Sequence, residues 1–243
     1  RTCKRGGDIG KTDQIALPRI TYCDTFETNF KDYEPSSIYD LGLLPLPEDL
    51  GIGFVNGVWN KMKGSRENTQ YISRLSGGYN IQSVYNATHG HFLDLIECMM
   101  GLQFIATNPV RQLHKMWNSF FEKSSSNAKF LMICHSQGAI HVRNALLDYP
   151  PELRDRIHVV AICPAAYIYR KTCASVIHYR AEASSDVIPR LDRSGEEHAK
   201  GTIVDLESHP NASMFDHEFT SPTYQDMLQK HIINYLNTQG KKL

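Results

Sequence analysis

The stretch KFLMICHSQGAIHVRNALL, residues 129–147, constrains the fold more than any other part of the chain. Phe130, Leu131, Met132 and Ile133 are apolar at consecutive positions, as are Val159, Val160, Ala161 and Ile162, and strands of that kind are covered on both faces. Helical periodicity separates such runs, and a strand joined to the next through a helix pairs with it in parallel. Strands are expected at 51–56, 79–86, 129–134, 157–162, 174–180 and 201–206, and helices at 65–77, 92–105, 109–123, 138–147 and 222–236. The pattern predicts an α/β domain with a doubly wound, mostly parallel sheet over 51–243. Residues 1–50 hold Pro18, Pro35, Pro45 and Pro47 without sustained periodicity and are expected to form an irregular amino-terminal arm.

Charge narrows the partners. With 26 Lys+Arg against 26 Asp+Glu among 243 residues, and no basic cluster, the chain offers no electrostatic footprint for nucleic acid or an anionic membrane surface. The apolar stretch 91–110 is broken by Asp94 and Glu97 and that at 157–169 is too short, so neither spans a bilayer. The chain starts at Arg1 without a Met or a signal segment, and is expected to be a soluble piece of a longer protein whose missing segments would carry any membrane contact. Cys3, Cys23, Cys98, Cys134, Cys163 and Cys173 lack metal-site spacing and are expected as free thiols. The sequons at Asn86 and Asn211 are triplets that chance supplies often, and carry no weight.

Within 129–147 a buried strand runs into Cys134-His135-Ser136-Gln137-Gly138 and then a helix, which puts a serine at the apex of a sharp turn. A nucleophilic serine raised above a sheet edge sits in a strained backbone conformation and needs small residues two positions to either side. Gly138 meets that need; Cys134 stands where glycine is usual, and its compact side chain fits if the helix stands slightly further off the strand. A bland alternative is a serine helix cap. Against it stand the other parts that a serine mechanism requires: Asp186 just beyond the strand at 174–180, and His209 and His217 beyond the strand at 201–206. Ligand sites in such sheets lie outside the carboxyl ends of the strands.

Phe54-Val55-Asn56-Gly57, Cys134-His135-Ser136-Gln137-Gly138, Ser185-Asp186-Val187-Ile188-Pro189 and Asp216-His217-Glu218-Phe219 together resemble the α/β-hydrolases of the lipase/esterase superfamily, from about Gly51 to the end. More narrowly, CHSQGAIHVRNALL followed by ICPAAYI resembles a family of chlamydial proteins assigned to that superfamily. The superfamily likeness implies Ser136 as nucleophile, His217 as general base and then acid, and Asp186 as the carboxylate that orients the histidine. His209 rivals His217, and Glu182 and Asp192 rival Asp186. For the oxyanion it implies the backbone N–H of Gln137 and, from the loop after Asn56-Gly57, that of Val58, with Trp59 as the alternative.

The function so implied is a serine hydrolase acting on a carboxylic ester, thioester or lipid acyl bond, small-molecule or lipid, with no cofactor, no metal and no indicated protein partner. A catalytically silent interaction domain and an acyltransferase with the same triad are the alternatives. His89-Gly90-His91 lacks a third ligand at suitable spacing and is expected as a polar loop. The segment 92–101, rich in Leu and Met, suits either core or an acyl-pocket wall. Gly51-Ile52-Gly53 lacks the rest of a dinucleotide fingerprint.

Overall fold

The computed structural model describes residues 16–22, 36–57, 61–86 and 104–238. In chain order the elements are β1 (Thr21–Tyr22), β2 (Ser37–Leu41), β3 (Leu50–Val55), α1 (Met62–Leu75), β4 (Ile81–Tyr85), β5 (Ile105–Ala106), α2 (Asn108–Phe121), β6 (Lys129–His135), α3 (Gly138–Leu147), α4 (Pro151–Arg154), β7 (Ile157–Ile162), β8 (Ser175–Ala181), α5 (Arg193–His198), β9 (Ile203–Leu206) and α6 (Pro222–Leu236). Among the described residues β2-β4-β3-β6-β7-β8-β9 form one seven-stranded sheet. Every neighbouring pair in it is parallel except β2 with β4. This is the doubly wound α/β arrangement.

Alternate residues of the central strands feed two cores. From β6, Phe130, Met132 and Cys134 pack with Leu113, Met116 and Trp117 of α2 and Ala139 and Val142 of α3. Leu131 and Ile133 face the other way, towards Ile72 of α1 and Tyr224, Leu228 and Ile232 of α6. Two-sided burial explains why this strand lacks a polar alternation. Tyr235 at the end of α6 locks that helix on the sheet, donating to the carbonyls of Gly51 at 2.8 Å and Lys129 at 2.6 Å.

The expected irregular arm is corrected in one place. Ser37–Leu41 is the antiparallel edge strand, running from Ser37 opposite Tyr85 to Leu41 opposite Ile81. No residue of β2 is buried, so five residues between prolines left no apolar signal. Helix α1 starts at Met62, three residues before the expected 65, with Gly64 in its first turn. The helix expected at 92–105 lies outside the described residues up to 103, and at its end Ile105 belongs instead to strand β5, paired with Thr21. No helix among the described residues is long and apolar enough to cross a membrane.

Strand order reverses beside β3: the chain passes from β3 outward to β4 and returns to β6 on the other side. A crevice opens at such a reversal, at the carboxyl ends of the strands, and there the serine turn lies.

Candidate active site

At the end of β6 the backbone of Ser136 takes a φ of 51°, in the left-handed region that non-glycine residues enter at a cost. Neighbours hold it there. Its N–H donates to the Ile162 carbonyl at 3.1 Å, and its own carbonyl accepts from Ala139 N at 3.1 Å and Ala165 N at 3.0 Å. Gly138 makes the turn possible, because a Cβ there would lie 2.6 Å from the Val55 carbonyl oxygen of β3. Gly57 is as tight: its Cβ would fall 2.7 Å from that of Ser136. Cys134, opposite Val55 of β3, is accommodated with its side chain buried in the core with Ala139 and Val142. Burial pushes its thiol far above the ordinary range, so it acts as a small apolar group.

Two further loops converge on this turn. After β8, Ser185 N and Asp186 N both donate to the Glu182 carbonyl at 2.9 Å, a turn that carries the Asp186 side chain inward. Asp186 is fully buried; its Oδ1 accepts from Ile188 N at 3.0 Å and its Oδ2 lies 2.7 Å from His217 Nδ1. His217 Nε2 lies 2.9 Å from Ser136 Oγ. After β9, the loop bearing His217 is held by Asp216, whose carboxylate accepts from Ser221 Oγ at 2.5 Å and Thr223 Oγ1 at 2.6 Å at the start of α6. Asp216 N reaches back to the Ser185 carbonyl at 3.1 Å, so the acid loop and the histidine loop are tied to each other. His135 donates from Nε2 to the His217 carbonyl at 2.8 Å.

Residues 43–239 match the profile of a family described as "Protein of unknown function (DUF687)". The chain belongs to the DUF687 family. No curated protein matches it. Among solved structures, an arylesterase superposes with a TM-score of 0.52 at 13% identity, over 91% of this chain and 87% of that one. An esterase named E25 gives 0.51 at 10% identity over 84% and 76%, and the Francisella virulence factor BioJ gives 0.50 at 11% over 85% and 86%. At such identities the likeness establishes the fold, which is that of the α/β-hydrolases. None of these matches speaks to the narrower chlamydial likeness.

In this DUF687 chain the rival candidates are placed elsewhere. His209 is exposed and serves a turn, its Nδ1 accepting from Asn211 N at 3.1 Å and its N–H donating to Thr223 Oγ1 at 2.9 Å. Glu182 is exposed and contributes its carbonyl to the acid loop. Asp192 caps α5, accepting from Gly195 N at 3.0 Å, accepts from Tyr167 N at 3.0 Å, and faces the buried Arg143 at 3.5 Å. Gln137 follows Ser136 into α3 and is buried. Val58 and Trp59, His89-Gly90-His91 and 92–101 lie outside the described residues.

Sequence reasoning gave no role to Asp216, Cys163 and Asn86, and took Asn56 only as part of the Asn56-Gly57 turn that opens the oxyanion loop. Of the first three only Asp216 left a signal, as a carboxylate beside His217 and five residues ahead of the Ser221-Pro222 helix start. Asn86 is buried with its amide committed to Gln137 Oε1 at 2.6 Å, so the sequon there is closed in the folded chain. Cys163, Asp186 and His217 bring donor atoms within 4.8 Å of one another. The carboxylate and imidazole are already bonded, and burial together with the Asp186 charge pushes the Cys163 thiol well above its usual range. As it stands, that group is an acid–histidine pair with the Cys163 thiol beside it. A hollow of about 300 Å³ lined by Leu46, Leu50, Phe120 and Lys123 lies at the amino end of β3, the far edge of the sheet from Ser136.

Proposed function

We propose that the protein is a serine hydrolase that cleaves a carboxylic ester, thioester or lipid acyl bond through an acyl-enzyme. One observation carries the reading: the hydrogen-bonded line from Asp186 Oδ2 through the His217 ring to Ser136 Oγ, 2.7 Å and 2.9 Å, ending on a serine whose backbone φ is 51°. A helix cap needs neither the strain nor the imidazole. In this reading His217 takes the Ser136 proton as the oxygen attacks the acyl carbon, then delivers it to the leaving group, and reverses both steps with water. Asp186 holds Nδ1–H and stabilises the imidazolium. The N–H of Gln137 and that of Val58 stabilise the oxyanion. The fold neighbours named as an arylesterase and an esterase agree with an acyl ester as substrate.

A fluorophosphonate probe tests the assignment. Wild-type protein should be labelled at Ser136, and Ser136→Ala should abolish labelling and reduce turnover of a short p-nitrophenyl ester by orders of magnitude, because the covalent route is lost as a unit. Labelling that survives the substitution would move the nucleophile elsewhere. A wild-type chain that is never labelled would instead favour a silent α/β-hydrolase fold.

A further inference from the structure

The loops that leave β3, β4 and β6 are tied together by buried side-chain amides. Asn56 is fully buried and has all four of its hydrogen-bonding positions filled. Its Oδ1 accepts from Ser65 Oγ at 3.1 Å and from Asn86 N at 2.9 Å, and its Nδ2 donates to the carbonyls of Gly57 at 2.7 Å and Asn86 at 3.3 Å. Asn86 in turn donates from Nδ2 to Gln137 Oε1 at 2.6 Å. Ser65 is fixed from behind by a chain of hydroxyls: Tyr39 OH lies 2.7 Å from Ser65 and 2.8 Å from Thr69, and Thr69 Oγ1 lies 2.8 Å from Ser83.

We infer that Asn56 and Asn86 are positioning residues of the hydrolytic site, clamping the loop after β3 to the serine turn so that the groups facing the reacting carbonyl keep one geometry. The inference rests on the reading of Ser136 as nucleophile. Contact alone already sets the distance between the two loops, since Gly57 lies against Ser136 with no room for a Cβ. The amides add direction, anchoring the Gly57 carbonyl on one side and the Gln137 side chain on the other. Burying so many polar groups costs desolvation, and an apolar cluster would pack these strands as well. The network ends on the residue after Ser136 and on the carbonyl beside it, which a purely structural role leaves unexplained.

Aspartate in place of either asparagine keeps the shape and reverses one half of the bonding. In Asn86→Asp a carboxylate oxygen faces Gln137 Oε1; in Asn56→Asp it faces the Gly57 and Asn86 carbonyls. Donors aimed at a developing charge act only while held in place, and a misplacement of about 1 Å can cost roughly a hundredfold. Each variant should therefore lose roughly 30- to 100-fold in kcat on a short p-nitrophenyl ester with KM within about threefold, and lose similarly in the rate of phosphonylation of Ser136, whose phosphonyl oxygen meets the same donors. Tyr149→Phe, which removes a part-buried hydrogen bond to Asn118 remote from the site, should lower stability and leave kcat unchanged. The two aspartate variants probe the clamp separately, so either one that folds decides. Folded variants that are labelled and turn over like wild type would overturn the clamp and leave the serine mechanism standing; a wild-type chain not labelled at Ser136 would overturn both.

Discussion

His135 and His217 are joined by one hydrogen bond, 2.8 Å from the Nε2 of the first to the carbonyl oxygen of the second. A carbonyl can only accept, so Nε2 carries a proton in this contact. Burial, and then the neighbouring His217, push the His135 pKa down to about 3, so the ring is neutral near pH 7. The residue before the serine thus holds the backbone of the histidine that faces the serine.

His135→Phe preserves the ring and removes the donor. In the proposed mechanism it should slow both turnover and phosphonylation by roughly ten- to a hundredfold, because the imidazole is left less well aimed. Labelling should still occur at Ser136. An unchanged rate in a folded His135→Phe protein would make the bond a packing detail.

The two histidines after β9 make a sharper contrast. His217→Ala should abolish turnover, while His209→Ala, at an exposed turn, should keep most of it. Asp186→Asn should lower kcat/KM by up to roughly 10⁴, since an amide cannot stabilise the imidazolium and favours the wrong tautomer. Steady-state kinetics on the three variants decide the roles; a ranking in which His209→Ala is the worse would reassign the base.

Ser136 also stores strain that can be read calorimetrically. Ser136→Ala and Ser136→Gly both lose the hydroxyl, but only alanine keeps a Cβ at a φ of 51°. Left-handed backbone costs a non-glycine residue about 1–2 kcal/mol, offset partly by the greater freedom of glycine in the unfolded chain. The glycine variant should therefore melt higher than the alanine variant by a few degrees. Equal melting temperatures would mean that the turn relaxes once the serine is gone.

The central sheet was legible because Phe130–Ile133 and Val159–Ile162 are apolar at every position, and Ser136, Asp186 and His217 follow the ends of β6, β8 and β9 in turn. Edge strand β2 was not, since none of its five residues is buried and its partner is set by the antiparallel return to β4. The clamp was invisible for another reason. Asn56 meets Asn86 across 30 residues and Asn86 meets Gln137 across 51, and neither spacing leaves a local pattern. Asp192 stood as a rival to Asp186 because a helix cap and a catalytic carboxylate look alike in sequence; its partners, Gly195 N and Arg143, show it as a cap.

Stability should fall steeply in mild acid. His178 accepts from Ile168 N at Nε2, 3.0 Å away, so its proton sits on Nδ1 facing Thr202 Oγ1 at 2.9 Å, and a second proton would break the first bond. His141 is buried with Nδ1 3.1 Å from Thr107 Oγ1 and, among the described residues, no partner on Nε2. Burial pushes both down to about 3. Unfolded histidine takes its proton near pH 6.5, so between about 6.5 and 3 the unfolded chain binds more protons and stability drops as pH falls, by about 1.4 kcal/mol per unit for each group. His135, also pushed down to about 3, adds a third such group, and the three together cost roughly 8 kcal/mol by pH 4.5, a large part of a typical domain's stability. Melting curves from pH 7.5 to 4.5 should show a steep loss beginning near 6.5, and His141→Leu, which removes one of the three groups, should flatten that slope by about a third. A melting temperature that holds steady down to pH 5 would mean that these histidines reach solvent and take up protons in the folded state.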